Sequence, residues 1–234
     1  MSMISDNILQ VRQRLTHACE QSGRQSEQLC LLVVSKTFAA EQVRAAHATG
    51  ERDFGENYVQ EALDKICTLS DLRAQLRWHM IGPLQSNKTK DVAEHFDWVH
   101  SIDRLKIAQR LSAQRPAHLP PLQVCLQVNV SGEASKSGVS PGELPELAHA
   151  VAALPRLQLR GLMSIPEPAQ DLAAQRAPHR ALTQLLQTLI KQGLALDTLS
   201  MGMSADMEAA VMEGATIVRV GSAIFGQRSG TTPH

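Results

Sequence analysis

The sequence predicts an α/β protein folded as a single (β/α)8 barrel of the TIM type, with an extra N-terminal helix. Three observations support this prediction. Eight short apolar segments of strand length alternate with longer helical stretches along the chain. The length of 234 residues suits one such barrel. Segments typical of a phosphate site follow the last two strands, where barrels commonly bind phosphate.

The extra helix is predicted over residues 6–21, because apolar side chains recur there at spacings of three and four. A doubly wound open sheet is the alternative fold. Such a sheet usually binds phosphate after its first strand at a GxGxxG turn, and the sequence contains no such turn. The eight strands are predicted near residues 30–35, 52–54, 77–80, 97–101, 122–130, 157–163, 197–200 and 216–220.

Composition limits the class of protein. Lysine plus arginine and aspartate plus glutamate number 23 each, a balance that argues against nucleic acid or an anionic membrane as the main partner. No signal peptide or membrane span is predicted, so we expect a soluble, cytoplasmic protein. No linker divides the chain, and we expect one barrel domain over residues 1–228 and a frayed tail over 229–234. The cysteines have no metal or redox spacing and are expected to be reduced: Cys19, Cys30, Cys67 and Cys125.

Two segments near the end of the sequence, residues 199–206 and 216–226, indicate a phosphate site; we call them the phosphate segments. Each is a short predicted strand that continues into glycine, serine and a new helix. Backbone N–H groups and hydroxyls at helix starts bind phosphate. Ser204 by itself is also an ordinary helix cap. Small residues that permit a close backbone approach favour the phosphate, namely Gly202, Gly221 and Ser222.

Lys36 follows the first predicted strand, and Arg219 lies within the last one. The lysine either caps the strand at the surface or presents an amine that condenses with an aldehyde. The arginine either pairs with a carboxylate in the barrel wall or faces a ligand. Facing a pyridine nitrogen, arginine can only donate, so the ring would stay unprotonated and stabilise carbanions poorly. With the phosphate segments, these residues suggest pyridoxal 5′-phosphate held as a Schiff base.

Residues that follow other strands would open onto the same end of the barrel. Asn57 either hydrogen-bonds a ring substituent or belongs to an ordinary helix start. His79 either touches the ligand or is a packed core histidine. Met163 and Ser164 could line the ring. Three lysines in polar loops are either solvated or offer a phosphate contact or a second amine: Lys88, Lys90 and Lys136.

Further motifs lie in order along the chain: VSKT at 34–37, FGENY at 54–58, WHMIGPLQ at 78–85, NK at 87–88, VNVSGEASKSG at 128–138, GLM at 161–163 and the phosphate segments. With these motifs the chain resembles the pyridoxal phosphate homeostasis proteins, single-domain relatives of the N-terminal barrel of alanine racemase. The resemblance covers about residues 6–228 and rests on many motifs at matching spacing.

The resemblance implies that Lys36 forms the Schiff base and that Arg219 faces the pyridine nitrogen. Ser222 stands where family members often have threonine, and it keeps the hydroxyl and the N–H. Ala205 and Ser164 are further mild departures. The resemblance assigns the phosphate to Ser204, Gly221 and Ser222, and it places Asn57, His79, Met163, Ser164, Met201 and Gly202 near the cofactor.

The resemblance also implies a function. Similar proteins carry pyridoxal phosphate or regulate its supply, and no robust catalysis is attributed to them. A two-base racemase needs a second proton-transfer residue opposite its lysine. In alanine racemase that residue is a tyrosine from a C-terminal β domain, whereas we expect this chain to end with its barrel, and it has one tyrosine, Tyr58.

We therefore expect a monomer that holds the cofactor reversibly and passes it to apo-enzymes. It would bind neither a metal nor nucleic acid. The alternative is an amino-acid racemase or lyase that uses Lys36 as its base.

Overall fold

The computed structural model describes residues 3–132 and 137–226. Eight parallel strands pair in sequence order, and the last pairs with the first to close a barrel. The predicted (β/α)8 architecture is confirmed. The strands are β1 (Cys30–Val34), β2 (Asp53–Glu56), β3 (Arg77–Met80), β4 (Trp98–Ile102), β5 (Leu122–Gln127), β6 (Leu157–Met163), β7 (Thr198–Ser200) and β8 (Ile217–Val220).

Helices surround the barrel and connect successive strands. The first precedes β1, as predicted. In the described part of the chain the α-helices are α1 (Met3–Gln21), α2 (Ala40–His47), α3 (Val59–Thr68), α4 (Thr89–His95), α5 (Leu105–Gln114), α6 (Leu144–Ala152), α7 (Leu172–Lys191), α8 (Met207–Met212) and α9 (Ser222–Phe225). Short 3-10 turns lie at Ser26–Gln28, Ser70–Leu72 and Ser86–Lys88.

Most strand residues are buried whichever face of the sheet they lie on, as is typical of a parallel sheet that helices cover. In β1, all four residues after Cys30 are buried, and Leu32 and Val33 are fully inaccessible. Outward-facing side chains pack against the apolar faces of the helices, and the large rings of Phe54 and Trp78 are completely buried. This core fixes where each strand ends.

Strand β5 is shorter than predicted. It ends at Gln127 rather than at residue 130, because the next residues leave the barrel. Val128 still donates to the carbonyl of Met163 at 2.8 Å, but it pairs with Val139 in an isolated bridge. The apolar residue Val130 extended the predicted strand beyond its true end.

Helix α1 packs against α8 and α9, the two helices that follow the last strands. Its buried side chains include Ile8, Val11 and Leu15. The Asn7 amide donates to the carbonyl of Ile224 at 2.8 Å. The Arg14 guanidinium donates to the carbonyl of Ser204 at 3.3 Å. The extra helix therefore supports both phosphate segments from outside the barrel.

Some expectations concern residues that lie outside the described part of the chain. These are the tail at 229–234 and Lys136, so the domain boundary at residue 228 stays a prediction. Among the described helices, none combines the length and the apolar character needed to cross a bilayer.

Candidate functional site

A cavity of about 660 Å³ opens at the carboxyl ends of the strands; we call it the mouth cavity. It unites six of the predicted site residues, from β1, β2 and both phosphate segments. They are Lys36, Asn57, Ser204, Arg219, Gly221 and Ser222. The remaining lining residues are Val34, Thr37, Phe38, Ile81, Ile165, Met203, Ala205 and Gly226.

Lys36 lies two residues beyond the end of β1 and is half-buried. The chain turns sharply after it, because Thr37 adopts a left-handed conformation with φ of 66°. This conformation is costly for a β-branched residue. The Thr37 N–H donates to the Glu61 carboxylate, which helps to hold the turn. The backbone on either side of Lys36 is thus fixed at the edge of the mouth cavity.

A buried ionic cluster lies behind this turn. Glu56, at the end of β2, accepts hydrogen bonds from the Ser35 hydroxyl at 2.6 Å and from Lys65 Nζ at 2.8 Å. Lys65 also donates to the Ser35 carbonyl at 2.7 Å and to Glu61 at 2.6 Å. Burial raises the pKa of Glu56, and the Lys65 ammonium opposes that rise. The cluster ties the end of β1, the end of β2 and helix α3 together beside Lys36.

Arg219 projects from β8 into the barrel and reaches the mouth cavity. Its Nη1 donates to Ser200 Oγ at 2.9 Å, and its Nη2 donates to the Ser164 carbonyl at 2.8 Å. Burial lowers the pKa of its guanidinium to about 10, so it stays charged at neutral pH. It is a fixed donor at the floor of the cavity.

The phosphate segments meet at two serines. The Ser222 hydroxyl donates to the Ser204 hydroxyl at 3.2 Å. Gly221 lies close to β1, since a Cβ there would be 3.0 Å from the Val34 carbonyl oxygen. Helix α9 begins at Ser222, and the first N–H groups of a helix have no acceptor within it. Hydroxyls and N–H groups therefore converge here, as an anion requires.

The loop that presents Ser204 is anchored by Asp206. The Asp206 carboxylate accepts from the Met203 N–H at 2.7 Å and contacts His179 Nε2 at 2.9 Å. Burial alone would raise the pKa of Asp206, but these hydrogen bonds outweigh it and lower the pKa. The loop starts at Gly202, whose φ of 89° is left-handed.

Five predicted site residues do not line the mouth cavity. Four of them are buried just beneath it, where they hold the strand ends: Met163, Ser164, Met201 and Gly202. Ser164 accepts from Arg219 through its carbonyl. Its hydroxyl has no hydrogen-bond partner among the described residues.

His79 lies elsewhere, and this placement does not support the predicted contact with a ligand at the carboxyl ends. It lines a polar pocket of about 470 Å³ at the amino ends of the strands, together with Asp53, Arg77 and Trp98. Its ring stacks on Trp98 with centroids 5.4 Å apart. The alternative of a packed core histidine describes it better.

Lys88 and Lys90, the two lysines of the polar loops that lie in the described part of the chain, do not line the mouth cavity either. Lys88 is half-buried at the start of α4. Lys90 is exposed and lies 3.8 Å from Glu94. Within the described residues, no group of three or more His, Cys, Asp or Glu side chains is arranged to hold a metal ion.

Several buried polar residues around the site were not predicted from the sequence. Glu56 and Lys65 pair below Lys36, and His100 and Ser200 lie in the barrel interior. A signal was present for two of them, because His100 lies within the predicted strand at 97–101 and Ser200 ends the one at 197–200. A buried polar side chain needs a partner.

The mouth cavity fits pyridoxal 5′-phosphate in its chemistry. A lysine amine at one strand end suits the aldehyde. The paired hydroxyls of Ser204 and Ser222, with the close approach at Gly221, suit the phosphate. The Arg219 guanidinium can donate to a ring nitrogen. Val34, Phe38 and Ile81 provide apolar walls for the ring.

Comparison with known proteins agrees with this geometry. Residues 6–229 match the family model for the alanine racemase N-terminal domain. The pyridoxal phosphate homeostasis protein of Pseudomonas aeruginosa is 61% identical over 233 residues, covering 100% of this chain and 99% of the relative.

Solved structures agree as well. PipY of Synechococcus elongatus with PLP bound has a TM-score of 0.83 at 36% identity, covering 95% of this chain and 100% of PipY. Alanine racemase from Corynebacterium glutamicum has a TM-score of 0.71 at 16% identity, a likeness of fold that covers 99% of this chain and 63% of the racemase. The chain therefore belongs to the alanine racemase N-terminal domain family and, within it, to the pyridoxal phosphate homeostasis proteins.

Proposed function

We propose that this protein binds pyridoxal 5′-phosphate in the mouth cavity and buffers or supplies the cofactor inside the cell. The observation that carries the proposal is the convergence of Lys36, Arg219 and the Ser204–Ser222 pair on one cavity. The three kinds of group match the aldehyde, the pyridine nitrogen and the phosphate of one molecule. Its relatives support the proposal, since they are named pyridoxal phosphate homeostasis proteins and PipY was solved with PLP bound.

Lys36 would hold the cofactor covalently. Its neutral amine would condense with the aldehyde of the cofactor, with formation of a C=N bond and release of one water molecule. Gly221 and Ser222, which follow β8 beside the end of β1, would receive the phosphate. Four further predicted residues would support the site indirectly, since they are buried beneath the cavity: Met163, Ser164, Met201 and Gly202.

Arg219 favours binding over catalysis. An acidic partner would keep the pyridine nitrogen protonated and make the ring a strong electron sink. A guanidinium that only donates leaves that nitrogen unprotonated, so carbanions on the substrate gain little stabilisation. We infer that the protein has no robust enzymatic activity.

We further propose that the protein acts in the cytoplasm as a monomer and contacts apo-enzymes transiently when it delivers the cofactor. Large apolar side chains lie exposed at or beside the mouth cavity: Tyr58, Ile165 and Met203. Such side chains suit brief contact with another protein.

Replacing Lys36 tests the central claim. Wild-type protein is incubated with pyridoxal phosphate and then with borohydride, and tryptic peptides are analysed by mass spectrometry. We expect one reduced adduct, on Lys36, because Lys36 is the one lysine among the described residues that line the cavity. The Lys36→Ala variant should carry no stable adduct. It should also lack the visible absorption band that a Schiff base between lysine and pyridoxal phosphate gives.

Lys191→Ala is the control, since Lys191 is exposed at the end of α7. It should label at Lys36 as the wild type does. An adduct on another lysine of the wild type, or undiminished labelling of Lys36→Ala, would overturn the assignment. Failure of the wild type to take up the cofactor would overturn the function itself.

A further inference from the structure

A continuous row of hydrogen-bonded side chains crosses the barrel interior; we call it the axial chain. Arg219 Nη1 lies 2.9 Å from Ser200 Oγ, which lies 2.7 Å from His100 Nδ1. His100 Nε2 lies 2.9 Å from His79 Nδ1, and His79 Nε2 lies 3.0 Å from Asp53 Oδ1. The axial chain thus joins the floor of the mouth cavity to the polar pocket at the amino ends.

When both histidines are neutral, the two end groups set the direction of every hydrogen bond between them. Arginine can only donate, and an ionised carboxylate can only accept. The pKa of Asp53 is held at about 2, because hydrogen bonds from His79 and Arg77 outweigh the effect of its burial. Ser200 therefore accepts from Arg219 and donates to His100 Nδ1. His100 donates through Nε2 to His79 Nδ1, and His79 donates through Nε2 to Asp53.

This arrangement satisfies each polar atom of the axial chain with two neutral histidines. In the opposite arrangement, His100 would donate to Ser200 through Nδ1 and accept from His79 through Nε2. His79 would then need protons on both ring nitrogens, since its other nitrogen faces the Asp53 carboxylate. Complete burial depresses the pKa of His100, which accords with a neutral His100. The neutral arrangement requires one proton fewer in a buried interior.

We propose that Ser200, His100 and His79 are positioning residues that hold the Arg219 guanidinium in one orientation beneath the mouth cavity. This inference rests on the proposed function, because the orientation matters through the ring nitrogen that Arg219 would face. Two acceptors from different strands, Ser200 Oγ and the Ser164 carbonyl, fix the plane of the guanidinium. The hydroxyl proton of Ser200 points at His100 Nδ1, and this fixes the direction in which Ser200 Oγ offers a lone pair to Arg219.

The tautomers of the histidines provide the first test, and they need no cofactor. Long-range ¹H–¹⁵N NMR spectra of the apo-protein report which ring nitrogens carry protons. Neutral rings protonated at Nε2 are expected for both His79 and His100, with His100→Phe and His79→Phe assigning the signals. A doubly protonated His79, or protonation at Nδ1 of His100, would overturn the proposed direction of the axial chain.

The second test compares two buried serines. Ser200→Ala removes one acceptor of Arg219, whereas Ser112→Ala removes a buried hydroxyl that donates to the Pro155 carbonyl at 2.5 Å, outside the axial chain. Loss of a hydrogen bond to a charged group should weaken the retention of pyridoxal phosphate about tenfold in Ser200→Ala. The absorption band of its bound cofactor should also shift. Ser112→Ala should match the wild type in both.

The outcomes separate this inference from the proposed function. If wild-type protein takes up no pyridoxal phosphate, the function is wrong and the inference falls with it. If the wild type binds the cofactor and Ser200→Ala has the same band and affinity, the positioning role alone is wrong. The NMR test stands even if Ser200→Ala does not fold.

Discussion

At the scale of single residues, Ser204 is expected to act on the phosphate rather than on the fold. Its side chain lines the mouth cavity, and the loop around it is held independently by Asp206 and Arg14. Ser204→Ala should weaken the retention of pyridoxal phosphate by about 1 kcal/mol or more, through loss of a charge-assisted hydrogen bond. Fluorescence titration of the apo-protein measures this change.

Pyridoxal, which lacks the phosphate, distinguishes this role from a general disturbance of the cavity. Its affinity should be equal in the wild type and in Ser204→Ala. Ser70→Ala provides the control, because Ser70 is exposed and does not line the mouth cavity. An unchanged affinity of Ser204→Ala for pyridoxal phosphate would remove Ser204 from the site.

The residues at strand ends were predictable to different degrees. Lys36 and Ser204 were recognisable because each follows a strand, and in a barrel the carboxyl ends of the strands meet. His79 was not, because the depth of a side chain along the barrel axis depends on strand tilt and register. It pairs with Gly55 and Trp98 in the sheet and faces the amino ends. A single sequence contains no measure of that depth.

At the scale of elements, Gly202 joins β7 to the loop that leads to α8. Its left-handed φ of 89° disfavours any side chain, and a Cβ would lie 2.5 Å from Ala210 Cβ. Gly202→Ala should lower the free energy of unfolding by about 2 kcal/mol or more, from backbone strain and overlap combined. Urea denaturation measures this loss.

Gly193 supplies a matched control. It has a similar φ of 95°, but a Cβ there would meet no atom within 4 Å. Gly193→Ala should therefore cost about 1 kcal/mol, the backbone contribution alone. Equal losses in the two variants would show that overlap of the added methyl group with Ala210 of α8 does not contribute to the loss of stability.

The Glu56–Lys65 pair links β2 to α3, and its removal should depend on pH. Lys65→Met leaves the buried Glu56 without its cation, which should cost about 3 kcal/mol at neutral pH. A carboxyl whose pKa is raised in the folded state binds its proton more tightly there than in the unfolded chain. The folded state is therefore favoured at low pH, and this benefit is lost as the pH rises through the folded pKa.

The deficit of Lys65→Met should consequently shrink as the pH falls toward 4.5, the ordinary value for the Glu56 carboxyl. Urea denaturation at a series of pH values measures it. Lys191→Met, a substitution at the exposed end of α7, should have little effect at any pH. A deficit in Lys65→Met that stays constant across the series would contradict a buried, unpaired Glu56. Adding Glu56→Gln should restore part of the stability.

Elements were predicted more reliably than the polar interior. The alternation of short strands with longer helices was recognisable in the sequence, and each of the eight predicted strands overlaps an observed one. The pairing of Glu56 with Lys65 was not predictable, because the two lie on different elements and nine residues apart. The same limit applies to His100 and Ser200, which are 100 residues apart and meet only when the barrel closes.

At the scale of the whole molecule, the protein should bind its cofactor without turning over amino acids. Arg219, the charged group at the cavity floor, is a donor that favours an unprotonated ring. Holo-protein incubated with single L-amino acids in D₂O should show no sustained exchange of the α-proton by NMR. Exchange at enzymatic rates that Lys36→Ala abolishes would instead establish a racemase or lyase.

The axial chain also determines the route by which a ligand can enter and leave the mouth cavity. His79, His100 and Ser200 fill the middle of the barrel and are almost completely inaccessible to solvent. In the part of the chain that the structure describes, these side chains close the barrel interior. A ligand at the carboxyl ends would therefore enter and leave through the opening of the mouth cavity. We therefore expect that any enzyme that receives the cofactor would have to approach this end of the barrel, because the opposite end gives no access to the mouth cavity.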